Sequence, residues 1–159
     1  MKTLILYASK HGCAKKAAEK IAEALGNDTD VNNVRNISRI DIDDYDKVII
    51  GGSIHAGRIQ GQIKSFTRKN MNQLLEKTLG LFICHMEADK DKAMKELSDN
   101  FLEPLMKHAT AKGLFGGEFD FDKMNFLEKF IIKKIANVNE SVSSINEDNI
   151  ENFISVMKD

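Results

Sequence analysis

Tryptophan is absent from the sequence, proline occurs once and cysteine only twice. Two cysteines cannot staple a secreted scaffold, so reduced thiols and a cytoplasmic setting are expected. No window approaches the roughly 18 apolar residues in a row that a membrane span needs. Met1-Lys2 leads into an apolar-rich run that ends at Ala8, short for the core of an export signal. Charge of one sign is lacking too. The chain has 23 Lys and Arg against 24 Asp and Glu, a net charge of −1, with the signs interspersed. That balance gives no sign of a nucleic-acid-binding surface or a solvated tail. Repeats, linkers and low-complexity segments are missing as well. What is present, 159 residues at 42% apolar composition, suits one compact domain spanning residues 1–159.

Short apolar runs alternate with helix-patterned stretches. Residues 2–8, KTLILYA, read as a strand buried on both faces. Ala14, Ala17, Ala18, Ile21, Ala22 and Leu25 then recur at helical spacing until Gly26-Asn27. Further strands are predicted at 30–37, 46–50, 78–84 and 112–119. Helices are predicted over 61–76, 89–109 (with a kink before Pro104), 122–136 and 146–158. The last helix opens on Ser144-x-x-Glu147 as a capping box. This alternation predicts a doubly wound five-stranded parallel sheet of order 2-1-3-4-5, with right-handed crossovers and helices on both faces. Ligands in such sheets bind beyond the carboxyl ends of the strands, at the switch point between the first and third. The segments 8–14, 51–61 and 85–91 fall there.

The first segment, Ser9-Lys10-His11-Gly12-Cys13-Ala14, is a turn directly before a helix. Free N–H groups and the positive helix end suit an anion. Ser9 adds a hydroxyl, and Gly12 allows close approach. A plain strand–helix turn has the same outline. No G-x-x-x-x-G-K-[ST] or G-x-G-x-x-G occurs, which argues against a P-loop nucleotidase and a dinucleotide fold. A phospho-receiver would need acidic residues where Ala8-Ser9 and Gly51-Gly52-Ser53 stand.

Ile5-Leu6-Tyr7-Ala8-Ser9, followed by Gly12, Ala14, Ala18 and Ile21, resembles the FMN-phosphate signature of the flavodoxin family. Ala14 departs from it, since the family usually has Thr there. Residues 44–59, DYDKVIIGGSIHAGRI, and 126–135, FLEKFIIKKI, resemble the branch that contains menaquinone-dependent protoporphyrinogen IX dehydrogenase. The resemblance implies FMN as cofactor, with its phosphate on Ser9, Lys10, His11, Gly12, Cys13 and Ala14. It implies that Gly52, Ser53, Ile54, His55, Ala56 and Gly57 run along the isoalloxazine ring, and that His85, Met86 and Glu87 flank its other side. It also implies an extra helical segment at about 119–145, which a minimal flavodoxin lacks. The missing Thr hydroxyl implies weaker FMN retention, and Ala14→Thr is expected to tighten binding.

His11, His55 and His85 all fall on carboxyl-edge loops. No His-x-x-x-His or Cys-x-x-Cys pair supports a metal, so none is expected. His55 and His85 are the candidate proton donors. Cys13 begins a helix, where a thiol gains reactivity; Cys84 ends a buried strand. The strand between them puts them about 10 Å apart, too far for a disulfide. Flavodoxin carriers are strongly acidic, and this chain is not. The expectation is therefore an FMN-dependent oxidoreductase that oxidises protoporphyrinogen IX with a quinone acceptor. The alternative is a flavodoxin-type electron carrier, or a flavin redox sensor, working with a partner protein. In residues 122–136, Leu127, Phe130, Ile131 and Ile135 form an apolar stripe flanked by Lys129, Lys133 and Lys134. Two readings stand side by side: a helix docked on the sheet edge, or a helix lying peripherally at the inner face of the membrane.

Overall fold

The computed structural model describes residues 1–37, 40–119, 127, 128, 130, 142, 143 and 145–159. Five strands form one parallel sheet: β1 (Thr3–Tyr7), β2 (Thr29–Asn33), β3 (Lys47–Ser53), β4 (Thr78–Cys84) and β5 (Ala111–Leu114). Their order is β2-β1-β3-β4-β5, the expected doubly wound arrangement. Every residue of β1 and β3 is buried, as a strand covered on both faces requires.

Alternation along the strands divides the core in two. Leu4, Leu6, Val48, Ile50, Leu79, Leu81 and Ile83 face one side. They pack there against residues of α2 (Gly61–Lys69), α3 (Met71–Leu74), α4 (Lys90–Asn100) and α5 (Glu103–His108). Ile5, Tyr7, Ile49, Phe82 and Cys84 face the other, under α1 (Cys13–Leu25) and α6 (Glu147–Lys158).

The second face is organised by glycine. Phe82 pairs in register with Gly51 on one side and Gly113 on the other. A Cβ on Gly51 would collide with the Phe82 ring, and one on Gly113 with the Phe115 ring. A Cβ on Gly80 would stand 2.7 Å from the Phe153 ring. The missing side chains leave a hollow that three aromatic rings fill. Phe82 stacks on Phe115 with centroids 4.9 Å apart, and Phe153 of α6 meets Phe115 edge-on at 5.3 Å. At the opposite end of α6, the buried Lys47 ammonium donates to the Met157 carbonyl at 2.6 Å and the Lys158 carbonyl at 3.3 Å. It caps a helix end that would otherwise leave carbonyls unpaired.

Several boundaries differ from the sequence expectation. The helix expected over 61–76 breaks at Asn70, whose backbone and side-chain N–H groups both donate to the Phe66 carbonyl. The kink expected before Pro104 is present: Phe101 and Leu102 are extended, and Pro104 sits in the first turn of a second helix, α5. The second strand ends at Asn33, which caps a 3-10 turn over Val34–Asn36. The fifth strand stops at Leu114. Left-handed Gly116 turns the chain away, and β6 (Glu118–Phe119) pairs antiparallel with β7 (Val142–Ser143) in a separate ribbon. The last helix is capped by Asn146, whose side chain accepts from the Asn149 N–H at 2.9 Å. Ser144, the expected cap, lies outside the described residues. So does the helix expected over 122–136, apart from Leu127, Glu128 and Phe130.

The glycine hollow is testable. Gly51→Ala should destabilise the fold by about 1–3 kcal/mol, the usual cost of an inserted methyl in a packed core. Urea unfolding followed by circular dichroism checks this; an unchanged midpoint would show that Phe82 has room to move.

Candidate functional site

Three loops meet at the carboxyl edge of the sheet. The first joins β1 to α1. Gly12 caps the helix in the left-handed region, at φ 94°, which favours glycine. Its N–H donates to the Ser9 hydroxyl at 2.9 Å. Ser9 therefore closes the turn with its oxygen, leaving the hydroxyl hydrogen for another acceptor. The Gly12 N–H is engaged inside the turn, so it is not among the donors left for an anion. The first turn of α1 carries no acidic residue.

Behind the turn, Cys13 and Ala14 point into the core. Ala14 is fully enclosed, so a threonine there would have to displace packed neighbours. This revises the expectation that Ala14→Thr simply restores a hydroxyl, because overpacking opposes the gain. Cys13 and Cys84 are not disulfide-bonded; they line a small cavity of about 110 Å³ together with Phe115 and Ile150.

The second loop follows β3. His55 and Arg58 exchange both backbone hydrogen bonds, at 2.9 and 3.0 Å, around Ala56 and Gly57. Both central residues have positive φ, 49° and 74°, the signature of a tight two-residue hairpin turn. Ala56 is in a region that L residues avoid at a cost of about 1–2 kcal/mol. The loop is held from below. Buried Asn100 accepts from the Ile59 N–H at 2.9 Å and donates to the Gly57 carbonyl at 3.0 Å. Gln60 accepts from the Ser53 N–H at 3.1 Å. Gln60 and Ile59 also fill the space a side chain on Gly52 would take, so Gly52 serves internal packing here. Ile54 packs against the core, whereas His55 projects outward.

The third loop begins at His85, which is buried; its ring nitrogens make no well-aligned hydrogen bond, although the Glu87 backbone lies close enough to favour the charged ring. Burial lowers its pKa below the ordinary 6.5, with the Glu87 backbone and carboxylate pulling the other way. Gly117 lies across this loop; a Cβ there would come 2.7 Å from the His85 carbonyl oxygen and collide with the Met86 sulfur. Met86 is exposed, and the Glu87 carboxylate accepts from the Asp89 N–H.

The structure brings Lys10, His11 and His55 together, with one residue that was not on the expected site list. Glu128 places one carboxylate oxygen 2.7 Å from the Lys10 ammonium and the other 3.0 Å from His11 Nε2. The His11 and His55 rings meet edge-on at 5.6 Å. Although His55 is exposed, desolvation by the neighbouring loop lowers its pKa first, then His11 and Lys10, with Glu128 opposing. Lys10 holds the Glu128 carboxyl below its usual range. Among the described residues, no three His, Cys, Asp or Glu side chains are grouped to hold a metal. Asn100 and Gln60 were also missed. Asn100 carried a signal: it is a polar residue on the face set by Ala93 and Leu97. Gln60 and Glu128 carried none, because nothing in their spacing marks a contact so distant in sequence.

A family model described as "Flavodoxin domain" matches residues 4–146. The chain belongs to the flavodoxin family. A curated relative, "Protoporphyrinogen IX dehydrogenase [quinone]" of Escherichia coli K12, is 24% identical over 142 residues, covering 85% of this chain and 78% of the relative. Among solved structures, a Streptococcus pneumonia TIGR4 flavodoxin superposes with a TM-score of 0.59 at 18% identity, covering 98% of this chain and 94% of that one. Oxidised flavodoxin 1 from Bacillus cereus gives 0.53 at 16% identity, covering 98% and 93%. These two likenesses establish the flavodoxin fold, with the three loops at its carboxyl edge.

Two predictions follow from the loop geometry. Asn100→Ala should cost about 1–3 kcal/mol, because it leaves the buried Ile59 N–H unpaired. Faster amide exchange at Ile59, measured by NMR, checks it. Acidification should destabilise the protein through His85. An unfolded chain takes up that proton near pH 6.5, and the folded chain only at lower pH. Stability contributed by neutral His85 is thus present above pH 6.5 and falls as pH drops below it. His85→Gln should flatten that acid limb in urea unfolding measured across pH.

Proposed function

We propose that the chain binds FMN at the carboxyl edge and works as an FMN-dependent oxidoreductase. The observation that carries the reading is the Ser9–Gly12 turn at the start of α1, set beside the His55 hairpin at the switch point of the sheet. The residues present fit such a group. His11 Nδ1 is an enclosed polar atom without a protein partner, and the His85 ring, beside the Glu87 backbone, makes no well-aligned hydrogen bond. They match the needs of a ligand with hydroxyls and a polar ring edge. Ser9, Lys10, His11, Gly12, Cys13 and Ala14 would hold the phosphate end. Gly52, Ser53, Ile54, His55, Ala56 and Gly57 would run along one side of the ring system, and His85, Met86 and Glu87 along the other.

When bound, the flavin supplies one- and two-electron transfer. The protein's part is to bind, orient and manage protons. The Ser9 hydroxyl hydrogen is available to donate to phosphate. Left-handed Gly12 holds the turn, and Asn100 fixes the hairpin through Gly57 and Ile59. His55 and His85 have lowered pKa values, so both are neutral near pH 7 and can accept a proton as readily as donate one.

The substrate reading is protoporphyrinogen IX oxidation with a quinone acceptor, in the cytoplasm or peripherally at the inner face of a membrane. The similarity to the dehydrogenase, spread over 85% of the chain, supports it, as does the net charge of −1, which gives no acidic field for steering to a basic partner. Leu127 and Phe130 are 65% and 55% exposed, which supports contact with a lipid surface. Among the described residues, no helix is long and apolar enough to cross a membrane. Burial of each side chain in the interface would contribute about 1.5–3 kcal/mol, enough for reversible association. The second reading is a carrier exchanging electrons with a partner protein, which the family membership favours.

Ser9→Ala should weaken FMN by about 1.5–3 kcal/mol, and Gly12→Val should also weaken it, as read by flavin fluorescence. Unchanged affinity in both would remove the phosphate from this turn. FMN-loaded protein, reduced anaerobically, should be reoxidised by a quinone and should convert protoporphyrinogen to porphyrin. Electron exchange with a carrier protein, but no porphyrin with any quinone, would favour the carrier. The wild type should sediment with anionic vesicles at low salt, and Leu127→Ser/Phe130→Ser should not. Equal sedimentation of the two would mean these side chains do not mediate contact.

A further inference from the structure

Resting on the FMN reading, we propose that Glu128 is an internal competitor for the cofactor's phosphate, and so sets how strongly the site prefers a phosphorylated flavin to an unphosphorylated one. The phosphate loop has two side chains that can donate to an anion, the Lys10 ammonium and a His11 ring N–H. One carboxylate faces both: its Oε1 lies 2.7 Å from Lys10 Nζ, and its Oε2 lies 3.0 Å from His11 Nε2 without a well-aligned hydrogen bond. The carboxylate is less exposed than its partner, with a side-chain exposure of 18% against 51% for Lys10. It reaches the loop from the segment between β6 and β7, outside the sheet. His11 is enclosed as well, at 11% side-chain exposure, and its second ring nitrogen, Nδ1, takes no protein partner. The loop thus keeps an unmet polar atom for a ligand while its cationic groups face an anion of the protein's own.

A phosphate on residues 9–14 carries close to two negative charges at neutral pH. It would lie within a Debye length, about 8 Å, of a fixed carboxylate bonded to residues of the same loop. Like charges at such range weaken each other's binding, and the effect is reciprocal. Either the carboxylate gives up Lys10 to the phosphate, or the phosphate binds less well than a loop with an unspent ammonium would allow. Glu128 lies against Lys10 and His11 at the phosphate end and reaches the ring-side His55 only through its field, so its effect should fall chiefly on the phosphate. Riboflavin, which lacks the phosphate, separates the two contributions.

Affinities of FMN and riboflavin for the full chain stripped of flavin are measured by fluorescence at low salt, in wild type and in Glu128→Gln. The substitution keeps size and an oxygen acceptor for Lys10 and removes the charge. The ratio of FMN to riboflavin affinity should rise about tenfold, with riboflavin affinity unchanged. An unchanged ratio overturns the proposal. A lowered ratio overturns it too, and would mean that Glu128 aligns the cations for the phosphate. A second measurement needs no variant. The ¹³C carboxyl signal of Glu128 in wild type, titrated with inorganic phosphate, should shift saturably as Lys10 leaves the carboxylate. No movement at saturating phosphate overturns the proposal. A wild type that binds neither flavin overturns the FMN reading instead, and the phosphate titration then decides the Glu128 contact by itself.

Discussion

The packing of Phe82 between two glycines is the constraint on which the rest of the structure depends. Gly51 and Gly113 sit in register beside it on the neighbouring strands, and either side chain would collide with an aromatic ring. The hollow admits Phe115 and Phe153, so it fixes where the chain goes after β5 and where α6 docks. Phe115 lies just before Gly116, whose carbonyl accepts from the His85 N–H at 2.7 Å. A choice made for packing in the middle of the sheet therefore determines the position of the third loop of the site. The strand register, the aromatic trio and the placement of His85 form one connected arrangement.

Much of this was legible in the sequence, for a physical reason. Strands buried on both faces are nearly all apolar, so DKVII and TLGLFIC stand out from polar surroundings, and alternation with helical spacing dictates a parallel sheet. Sheet order followed, and with it the edge where ligands bind. The breaks were legible only in part. Pro104 marked the kink before α5, whereas the full break at Asn70 comes from local hydrogen bonding that apolar periodicity does not report. The end of β5 was missed because KGLFGGEF keeps a strand-like composition past Leu114, while Gly116 alone reverses the chain.

The site was legible as loops and not as contacts. Strand ends placed His11, His55 and His85 on one edge without any knowledge of side-chain direction. Which of them meet depends on a hairpin turn with Ala56 in an unusual conformation and on Asn100 beneath it. The Glu128 contact joins segments from opposite ends of the sequence, and an acidic residue among lysines looks like an ordinary solvated position. Glycines were ambiguous as well. Gly51 and Gly52 stand at the carboxyl end of β3, where a flat ligand would need close approach, yet the space their side chains would take belongs to Phe82, Gln60 and Ile59.

Lys47 has a consequence for how the folded state can be observed. Its ammonium is sealed against the final carbonyls of α6, at the edge of the sheet away from the cofactor loops. Most of the other lysines lie in water, open to acylating reagents. Lys47 becomes reactive only when the end of α6 lifts from β3, so the rate of its chemical labelling reports the opening of that one corner. Because α6 also carries Phe153 into the aromatic trio, the same label registers loosening of the packing that positions the far edge.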